Sequence, residues 1–205
     1  MTQAPGRPLR LGVFGGAFDP PHLAHRLLLE AAIAQLQLDR LQVVPTGQAW
    51  HKTRALSAAA HRMAMAQLAF ADLPCVQVDG REIARSGASY TVETLRELRR
   101  EQPGAELFLL IGQDQAVAFT SWYQWRAIAE MATVCVAARA DALGQASPFV
   151  PPPGLESRFC LLQLPATAIS ATDIRQRVAA GQAIDALVCA PVARYIALHR
   201  LYQTP

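Results

Sequence analysis

Long apolar runs are missing from this 205-residue chain, although 52% of its residues are hydrophobic. No stretch approaches the roughly 20 consecutive apolar residues that a helix needs to cross a bilayer. Residues 1–10 contain Pro and Gly but lack the apolar core of a signal peptide. We therefore expect no membrane association and a cytoplasmic protein. Its length and apolar content favour a single domain over residues 1–205.

Long basic blocks are also missing. The formal net charge is +3, and charged residues make up 17% of the chain. A nucleic-acid-binding protein would concentrate its basic residues in one patch, so we expect no nucleic-acid partner. Scattered arginines suit a small phosphorylated ligand equally well.

Closely spaced cysteines are missing as well. No CxxC pair occurs among the four cysteines, which are Cys75, Cys135, Cys160 and Cys189. Cys135 and Cys160 lie inside apolar runs, which favours buried free thiols in a reducing compartment over zinc ligands or disulfides. We expect no residue of the chain to serve as a metal ligand.

Short apolar runs of strand length alternate with longer amphipathic runs along the whole chain. The runs that predict strands are residues 9–14, 41–44, 75–78, 107–111, 133–137 and 159–162. This alternation predicts an α/β fold, a single Rossmann-like doubly wound parallel sheet with helices on both faces. The chain has no internal repeat and no GxGxxG fingerprint, so hydride transfer with a dinucleotide is not indicated.

One stretch joins the first predicted strand to a predicted helix over residues 22–38, and it reads Gly15-Gly16-Ala17-Phe18-Asp19-Pro20-Pro21-His22-Leu23-Ala24-His25. Glycines let a backbone approach an anion closely, and a helix N-terminus offers free N–H groups and a positive dipole end. His22 and His25 are spaced to lie on one face of that helix. The stretch therefore predicts a phosphate site with both histidines beside the anion.

Two further helix starts carry polar side chains that suit an anion. Ser89-Tyr90-Thr91 opens a helix, with Thr91 as the predicted N-cap. Ile169-Ser170-Ala171-Thr172-Asp173-Ile174-Arg175 opens another, with Ser170 as the predicted N-cap. Arg175 opposes the helix dipole at that position, which makes better sense beside a bound anion, although a solvated arginine fits the pattern too.

Three features between these motifs are further candidates for ligand binding, and the first is a loop at the predicted carboxyl edge of the sheet, where ligands bind in α/β folds. The loop after residue 44 carries Trp50, His51 and Lys52, and the same pattern fits a solvated loop. Asp114 follows a predicted strand, where it either bonds a ribose hydroxyl or caps the next helix. Trp122 is free to stack on a flat ligand, although the pattern by itself favours packing.

The run from residue 57 to about residue 70 predicts a helix with Ser57 as its N-cap. His61 and Arg62 are assigned to its outer side, as surface residues. Residues 81–88 are polar and are predicted to form a loop.

The first and last of these motifs resemble the two signatures of the nucleotidyltransferase α/β-phosphodiesterase superfamily. Residues 15–25 resemble its HxGH signature, and residues 169–175 resemble ISxTxxR. The intervening segments that resemble motifs of the bacterial nicotinate-nucleotide adenylyltransferases are His51-Lys52, Ser89-Tyr90-Thr91, Gly112-Gln113-Asp114, Trp122-Tyr123 and residues 187–195. The resemblance implies adenylyl transfer from ATP to nicotinate mononucleotide, which gives deamido-NAD and pyrophosphate in NAD biosynthesis.

The resemblance also implies which residues form the site. The catalytic residues it implies are His22, His25, Lys52 and Arg175. The residues it implies for ATP binding are Gly15, Gly16, Ala17, Phe18, Gly112, Asp114, Ile169 and Ser170. Those it implies for the mononucleotide are His51, Tyr90, Thr91, Trp122 and Arg139. It further implies Mg²⁺ held mainly by the ATP phosphates, and a monomer or homodimer that binds ATP and nicotinate mononucleotide.

The chain departs from the family's pattern at three positions. Ala17 stands where Thr or Ser is usual, Ala24 replaces the Gly of HxGH, and Trp50 stands where Pro is common. Two alternatives therefore stay open: another acceptor, such as nicotinamide mononucleotide or phosphopantetheine, and a nucleotide-binding module that has lost catalysis. If the chain were an ordinary α/β protein with structural histidines, the three helix starts that suit an anion would have to be a coincidence.

Overall fold

The computed structural model describes residues 6–47, 56–138 and 149–203. Within these residues six strands form one sheet: β1 Arg10–Gly16, β2 Arg40–Pro45, β3 Val76–Val78, β4 Glu106–Gly112, β5 Ala132–Ala138 and β6 Phe159–Gln163. Their order is β3-β2-β1-β4-β5-β6, and every neighbouring pair is parallel. The predicted Rossmann-like α/β fold is confirmed.

The helices in the described residues are α1 Leu23–Leu36, α2 Ala59–Phe70, α3 Arg81–Ala84, α4 Thr91–Glu101, α5 Gln113–Val117, α6 Trp125–Met131, α7 Ala171–Ala179 and α8 Ala190–Leu198. Single 3₁₀ turns lie at Phe119–Ser121 and Glu156–Arg158. Not one of these helices has both the length and the apolar character that a membrane span requires.

Helices cover both faces of the sheet, which explains why the strands read as continuous apolar runs. β4 shows this most clearly, because successive side chains of a strand point to opposite faces. Leu107, Leu109 and Ile111 belong to one buried cluster, which includes side chains of α4 and α6. Phe108 and Leu110 belong to the other, which includes side chains of α1, α2, α7 and α8.

β1 extends beyond the apolar run that predicted it. The parallel pairing with β2 continues through Gly15, opposite Val44, and Gly16, opposite Pro45. Glycine has no side chain to continue a hydrophobic pattern, so the end of this strand left no signal in the sequence. The two glycines therefore lie at the carboxyl end of the strand rather than in the loop after it.

The start of α2 and the segment before α4 also differ from the predictions. α2 begins at Ala59 with no side-chain cap, so the assignment of Ser57 as N-cap is wrong. The Ser57 N–H instead donates to Oδ2 of Asp19 at 3.2 Å. The segment predicted as a loop over residues 81–88 contains the one-turn helix α3, which is too short to show a helical period.

Candidate active site

The order of the strands reverses between β1 and β4. In open parallel sheets this reversal creates a crevice at the carboxyl ends of the strands, where ligands bind. Gly15 lies near the end of β1, and Gly112 ends β4. A Cβ atom built on either glycine would have no atom of the described residues within 4 Å. Packing among the described residues therefore does not require glycine at these two positions, which leaves room for a ligand to approach the backbone closely.

Gly16 is explained by packing, because a Cβ atom there would lie 3.0 Å from Cζ of Phe18. Phe18 is buried, and its φ of 48° is in the left-handed region that bulky residues rarely adopt. Its ring meets those of Phe14 and His25 edge-on, with centroids 5.5 and 5.3 Å apart. Since the Phe18 ring is a packing group, any contact of this residue with ATP would come from its backbone.

The two histidines stack on each other at the start of α1. His22 is the N-cap, and the ring centroids of His22 and His25 lie 3.7 Å apart. The backbone N–H of His22 donates to Nδ1 of His25 at 3.2 Å. Because Nδ1 accepts this bond, the proton of the neutral His25 imidazole is on Nε2, which makes Nε2 a donor. Ala24 lies between them in the first turn and is partly exposed.

The last predicted motif lies against the first, although Arg175 and Asp19 are 156 positions apart in the sequence. Ser170 is the N-cap of α7, as predicted, and its Oγ accepts the N–H of Asp173 at 3.1 Å. Arg175 donates from Nη1 to the carbonyl oxygen of Asp19 at 2.8 Å and from Nη2 to Oγ1 of Thr172 at 3.0 Å. The structure thus brings the guanidinium of Arg175 to the loop that ends at His22.

An arginine that the sequence analysis assigned to the surface is buried beside this loop. Arg62 is 2% exposed, so that prediction is wrong. Met65 and Ala66 form the buried face of α2, and Arg62 lies three and four residues before them, on the same face. The helical spacing between Arg62 and these two apolar residues would have indicated that Arg62 is buried. Desolvation lowers the pKa of the Arg62 guanidinium, and the nearby carboxylate of Asp19 partly opposes this shift.

The Arg62 guanidinium bonds backbone carbonyls from three separate segments. It donates to Ala17 at 3.1 Å, to Thr46 at 2.7 Å and to Ser57 at 3.0 Å. Ala17 follows β1 and Thr46 follows β2, so their carbonyls lie where the sheet's own hydrogen bonding ends. Arg62 therefore ties the ends of two neighbouring strands to the start of α2.

Asp19 is the buried carboxylate of the β1–α1 loop, with 2% of its surface exposed. Its Oδ2 accepts the Ser57 N–H, and its Oδ1 accepts the hydroxyl of Tyr202 at 2.7 Å. Its backbone carbonyl accepts from Arg175, as described above. Asp19 therefore joins the loop to α2, to α7 and to the C-terminal turn.

Aromatic side chains gather at the start of α4. Tyr90 is the N-cap and Thr91 the first helical residue, so the predicted N-cap is off by one. The Tyr90 ring lies 4.7 Å from that of Tyr123, measured between centroids. Trp122 is half-buried and packs on Phe119 at a centroid distance of 5.5 Å. The structure thus brings the start of α4 next to the Trp122–Tyr123 segment.

Glu82 of α3 is a buried residue of this region that the sequence analysis missed. Its Oε1 accepts the hydroxyl of Thr94 at 2.8 Å, and its carbonyl accepts the hydroxyl of Ser89 at 3.4 Å. Burial raises the pKa of the Glu82 carboxyl. A Cβ atom at Gly47 would lie 2.0 Å from the same carbonyl oxygen, so the segment after β2 packs directly on α3.

The remaining predicted residues divide into placed and undescribed ones. Asp114 is exposed in the first turn of α5, whose N-cap is Gly112, so the alternative that Asp114 caps this helix is wrong. Ile169 is partly buried against the core beside α7. His51, Lys52 and Arg139 lie outside the described residues.

Comparisons with known proteins identify the family of this chain. A family model described as cytidylyltransferase-like matches residues 13–177. A relative from Albidiferax ferrireducens, named probable nicotinate-nucleotide adenylyltransferase, is 58% identical over 195 residues, which cover 95% of this chain and 98% of the relative. A relative of the same name from Methylibium petroleiphilum is 40% identical over 211 residues, which cover 100% and 97%. The chain belongs to the cytidylyltransferase-like family, and the resemblance drawn from its two signatures is confirmed.

Solved structures share the fold. The nicotinic acid mononucleotide adenylyltransferase of Plasmodium falciparum, complexed with NaAD, matches with a TM-score of 0.76 at 17% identity, covering 94% of this chain and 97% of that chain. The same enzyme complexed with APC gives a TM-score of 0.74 at 16% identity, covering 94% and 96%. Identities this low establish a common architecture and no more.

We expect Arg62→Met to lower the free energy of unfolding by about 3 kcal/mol or more, because it leaves three half-buried carbonyls without the donor that Arg62 supplies. Urea unfolding followed by circular dichroism measures this change. Arg177→Met is the matched control, since Arg177 forms a half-exposed pair with Asp173 and should contribute about 0.5 kcal/mol or less. Equal losses in the two variants would contradict the role assigned to Arg62.

Proposed function

We propose that this chain transfers the adenylyl group of ATP to nicotinate mononucleotide, giving deamido-NAD and pyrophosphate. The contact between Arg175 and the β1–α1 loop carries the proposal, because it gathers a cation and two histidines at the crevice of the sheet. The names of the relatives support the choice of reaction and of acceptor.

The proposed reaction needs no general base. The attacking group is the phosphate of the mononucleotide, whose second pKa of about 6 leaves it mostly ionised at neutral pH. Its oxygen forms a bond to the α-phosphorus of ATP, and the bond from that phosphorus to the bridging oxygen of the β-phosphate breaks. Pyrophosphate leaves with the electron pair. Positioning and charge neutralisation are therefore the tasks that remain for the protein.

The described side chains of the crevice suit those tasks. We assign the ATP phosphates to the N-terminus of α1, where the backbone of Gly15, Gly16 and Ala17 approaches them. His25 donates to a phosphate oxygen from Nε2, since its Nδ1 is engaged by His22. Arg175 neutralises the β- and γ-phosphates, bidentately where the geometry allows.

The other assignments follow from position or motif. Gly112 and exposed Asp114 lie at the end of β4, where a carboxylate suits a ribose hydroxyl. Ile169 and Ser170 border the crevice at the start of α7. For Lys52, His51 and Arg139 the sequence motifs are the only support, because these residues lie outside the described ones.

We assign the nicotinate ring to Trp122 and its carboxylate to the start of α4. A flat ring suits the face of an indole, and Trp122 is only half-buried. Thr91 is the first residue of α4, so its N–H is among those without a partner inside the helix. Such N–H groups and the positive end of the helix dipole favour a carboxylate over a neutral amide. Tyr90 completes this pocket.

Mg²⁺ completes the proposal as an ion held by phosphate oxygens and water. The donor set of the crevice fits this arrangement better than a protein cage. His25 and Arg175 present N–H groups, and both carboxylate oxygens of Asp19 accept hydrogen bonds from the protein. An ion so bound would neutralise charge on the phosphates.

A pyrophosphate-release assay over three acceptors tests the proposed function. We expect the highest kcat/KM with nicotinate mononucleotide, and lower values with nicotinamide mononucleotide and phosphopantetheine. A preference for the amide would overturn the assigned acceptor. ATP binding without pyrophosphate release from any acceptor would show a module that has lost catalysis.

We expect His25→Asn to lower kcat by on the order of 10²-fold, because it removes a donor that acts on the transition state. The Asn oxygen stands near the position of Nδ1 and still accepts the His22 N–H, so the start of α1 is kept. His25→Gln is the matched comparison, since its amide nitrogen stands near Nε2 and should retain part of the rate. Near-normal turnover of His25→Asn in steady-state kinetics would contradict the role of His25.

We expect Trp122→Ala to raise KM for the mononucleotide by roughly 3- to 10-fold, the worth of one aromatic stacking contact. KM for ATP should stay unchanged, because Trp122 lies on the acceptor side. Trp122→Phe keeps an aromatic face and should restore most of the affinity. An unchanged KM in the Ala variant would mean that the ring stacks elsewhere.

A further inference from the structure

Two aromatic residues with left-handed backbone conformations flank one half-buried hydrogen bond between Tyr202 and Asp19. Phe18, with φ of 48°, directly precedes Asp19, and Tyr202 has φ of 62°. Side chains of this size rarely adopt positive φ, and they keep it only where surrounding contacts fix the backbone. A hydrogen bond from the Tyr202 hydroxyl to Oδ1 of Asp19, at 2.7 Å, joins the two segments.

The C-terminal turn directs Tyr202 back into the protein. Arg200, just after α8, also has a positive φ, of 48°. The Tyr202 ring packs on the core cluster between the sheet and α2, and its hydroxyl lies 3.9 Å from Sδ of Met65. Burial and the bond to Asp19 raise the pKa of Tyr202. Its hydroxyl therefore keeps its proton, and donates, throughout the physiological pH range.

Asp19 connects Tyr202 to Arg175. The carboxylate of Asp19 is held by Tyr202 and by the Ser57 N–H, while its backbone carbonyl accepts from Nη1 of Arg175 at 2.8 Å. Hydrogen bonds to both carboxylate oxygens restrict rotation of the Asp19 side chain and of the Asp19 backbone. The Asp19 carbonyl that accepts from Arg175 is therefore held in place by the hydrogen bonds to the Asp19 side chain.

We propose that Tyr202 is a positioning residue for ATP, because its hydroxyl acts through Asp19 to hold the carbonyl that orients the Arg175 guanidinium. This inference rests on the proposed function, in which Arg175 neutralises the ATP phosphates. It adds a residue near the C-terminus to a site whose other proposed residues end at Arg175. The proposed effect of Tyr202 on ATP passes through Asp19 to Arg175.

Tyr202→Phe tests the inference, because it removes one oxygen and keeps the packing of the ring. We expect KM for ATP to rise about 5-fold and kcat to fall by a similar factor, while KM for nicotinate mononucleotide stays unchanged. Tyr195→Phe is the matched control. Tyr195 is partly buried in α8, and its hydroxyl lies 3.0 Å from Nδ1 of His61, away from Asp19. Its removal should change neither KM by more than about 2-fold.

A double-mutant cycle with Arg175→Ala separates positioning from a general structural role. If Tyr202 acts through Arg175, Tyr202→Phe should raise KM for ATP by less than 2-fold in the Arg175→Ala background. A fully additive effect would overturn the inference, and so would an effect in wild type no larger than that of Tyr195→Phe. A rise in KM for the mononucleotide equal to that for ATP would overturn it too.

Failure of the proposed function is recognised separately. If the wild-type chain releases no pyrophosphate with any acceptor, the dissociation constant of a non-hydrolysable ATP analogue, measured by calorimetry, replaces KM in the same cycle. A weaker analogue affinity in Tyr202→Phe that disappears in the Arg175→Ala background would then support the positioning role without the reaction. Equal affinities in wild type and Tyr202→Phe would overturn it.

Discussion

The buried guanidinium of Arg62 stabilises the carboxyl edge of this sheet. The carbonyls after β1 and β2 lie beyond the hydrogen bonds of the sheet. Further backbone cannot pair with them, because it would fill the crevice that a ligand needs. Carbonyls that are partly shielded from water and have no donor are costly, so a side chain must supply the donors. Arg62 supplies them from α2 to Ala17 and Thr46. Its own burial is tolerable because three carbonyls and the Asp19 carboxylate surround the charge.

The same arrangement keeps negative charge away from the proposed phosphate site. A free carboxylate in the β1–α1 loop would repel ATP, yet Asp19 lies there and is almost completely buried. Both of its carboxylate oxygens accept hydrogen bonds, one from Tyr202 and one from Ser57, and the Arg62 charge lies close by. In the proposed site, the start of α1, the two imidazoles and the Arg175 guanidinium lie around this loop, and each of them favours an anion.

The fold and the two motifs could be predicted from local sequence patterns, whereas the long-range polar contacts could not. The apolar run of β4 and the Ser170 cap of α7 are properties of a few neighbouring residues, so they can be recognised in the sequence. The bond from Tyr202 to Asp19 joins residues 183 positions apart, and neither position departs from an ordinary local pattern. Glu82 was missed because α3 is a single turn. Of the candidate site, the sequence predicted the residues of both signatures, whereas their contact through Asp19 required the structure.

When the attacking group is already ionised, the protein must position the reactants but does not need to transfer a proton. The rate then depends on how closely donors match the positions of phosphate oxygens, and an error of about 1 Å can cost 10²-fold. Those donors lie on loop ends and helix starts, which are the least rigid parts of an α/β fold. Rigidity must therefore come from buried polar residues behind the loops, here Arg62 and Asp19. In the proposed reaction these two residues act without touching substrate, because they hold the β1–α1 loop to which Arg175 donates.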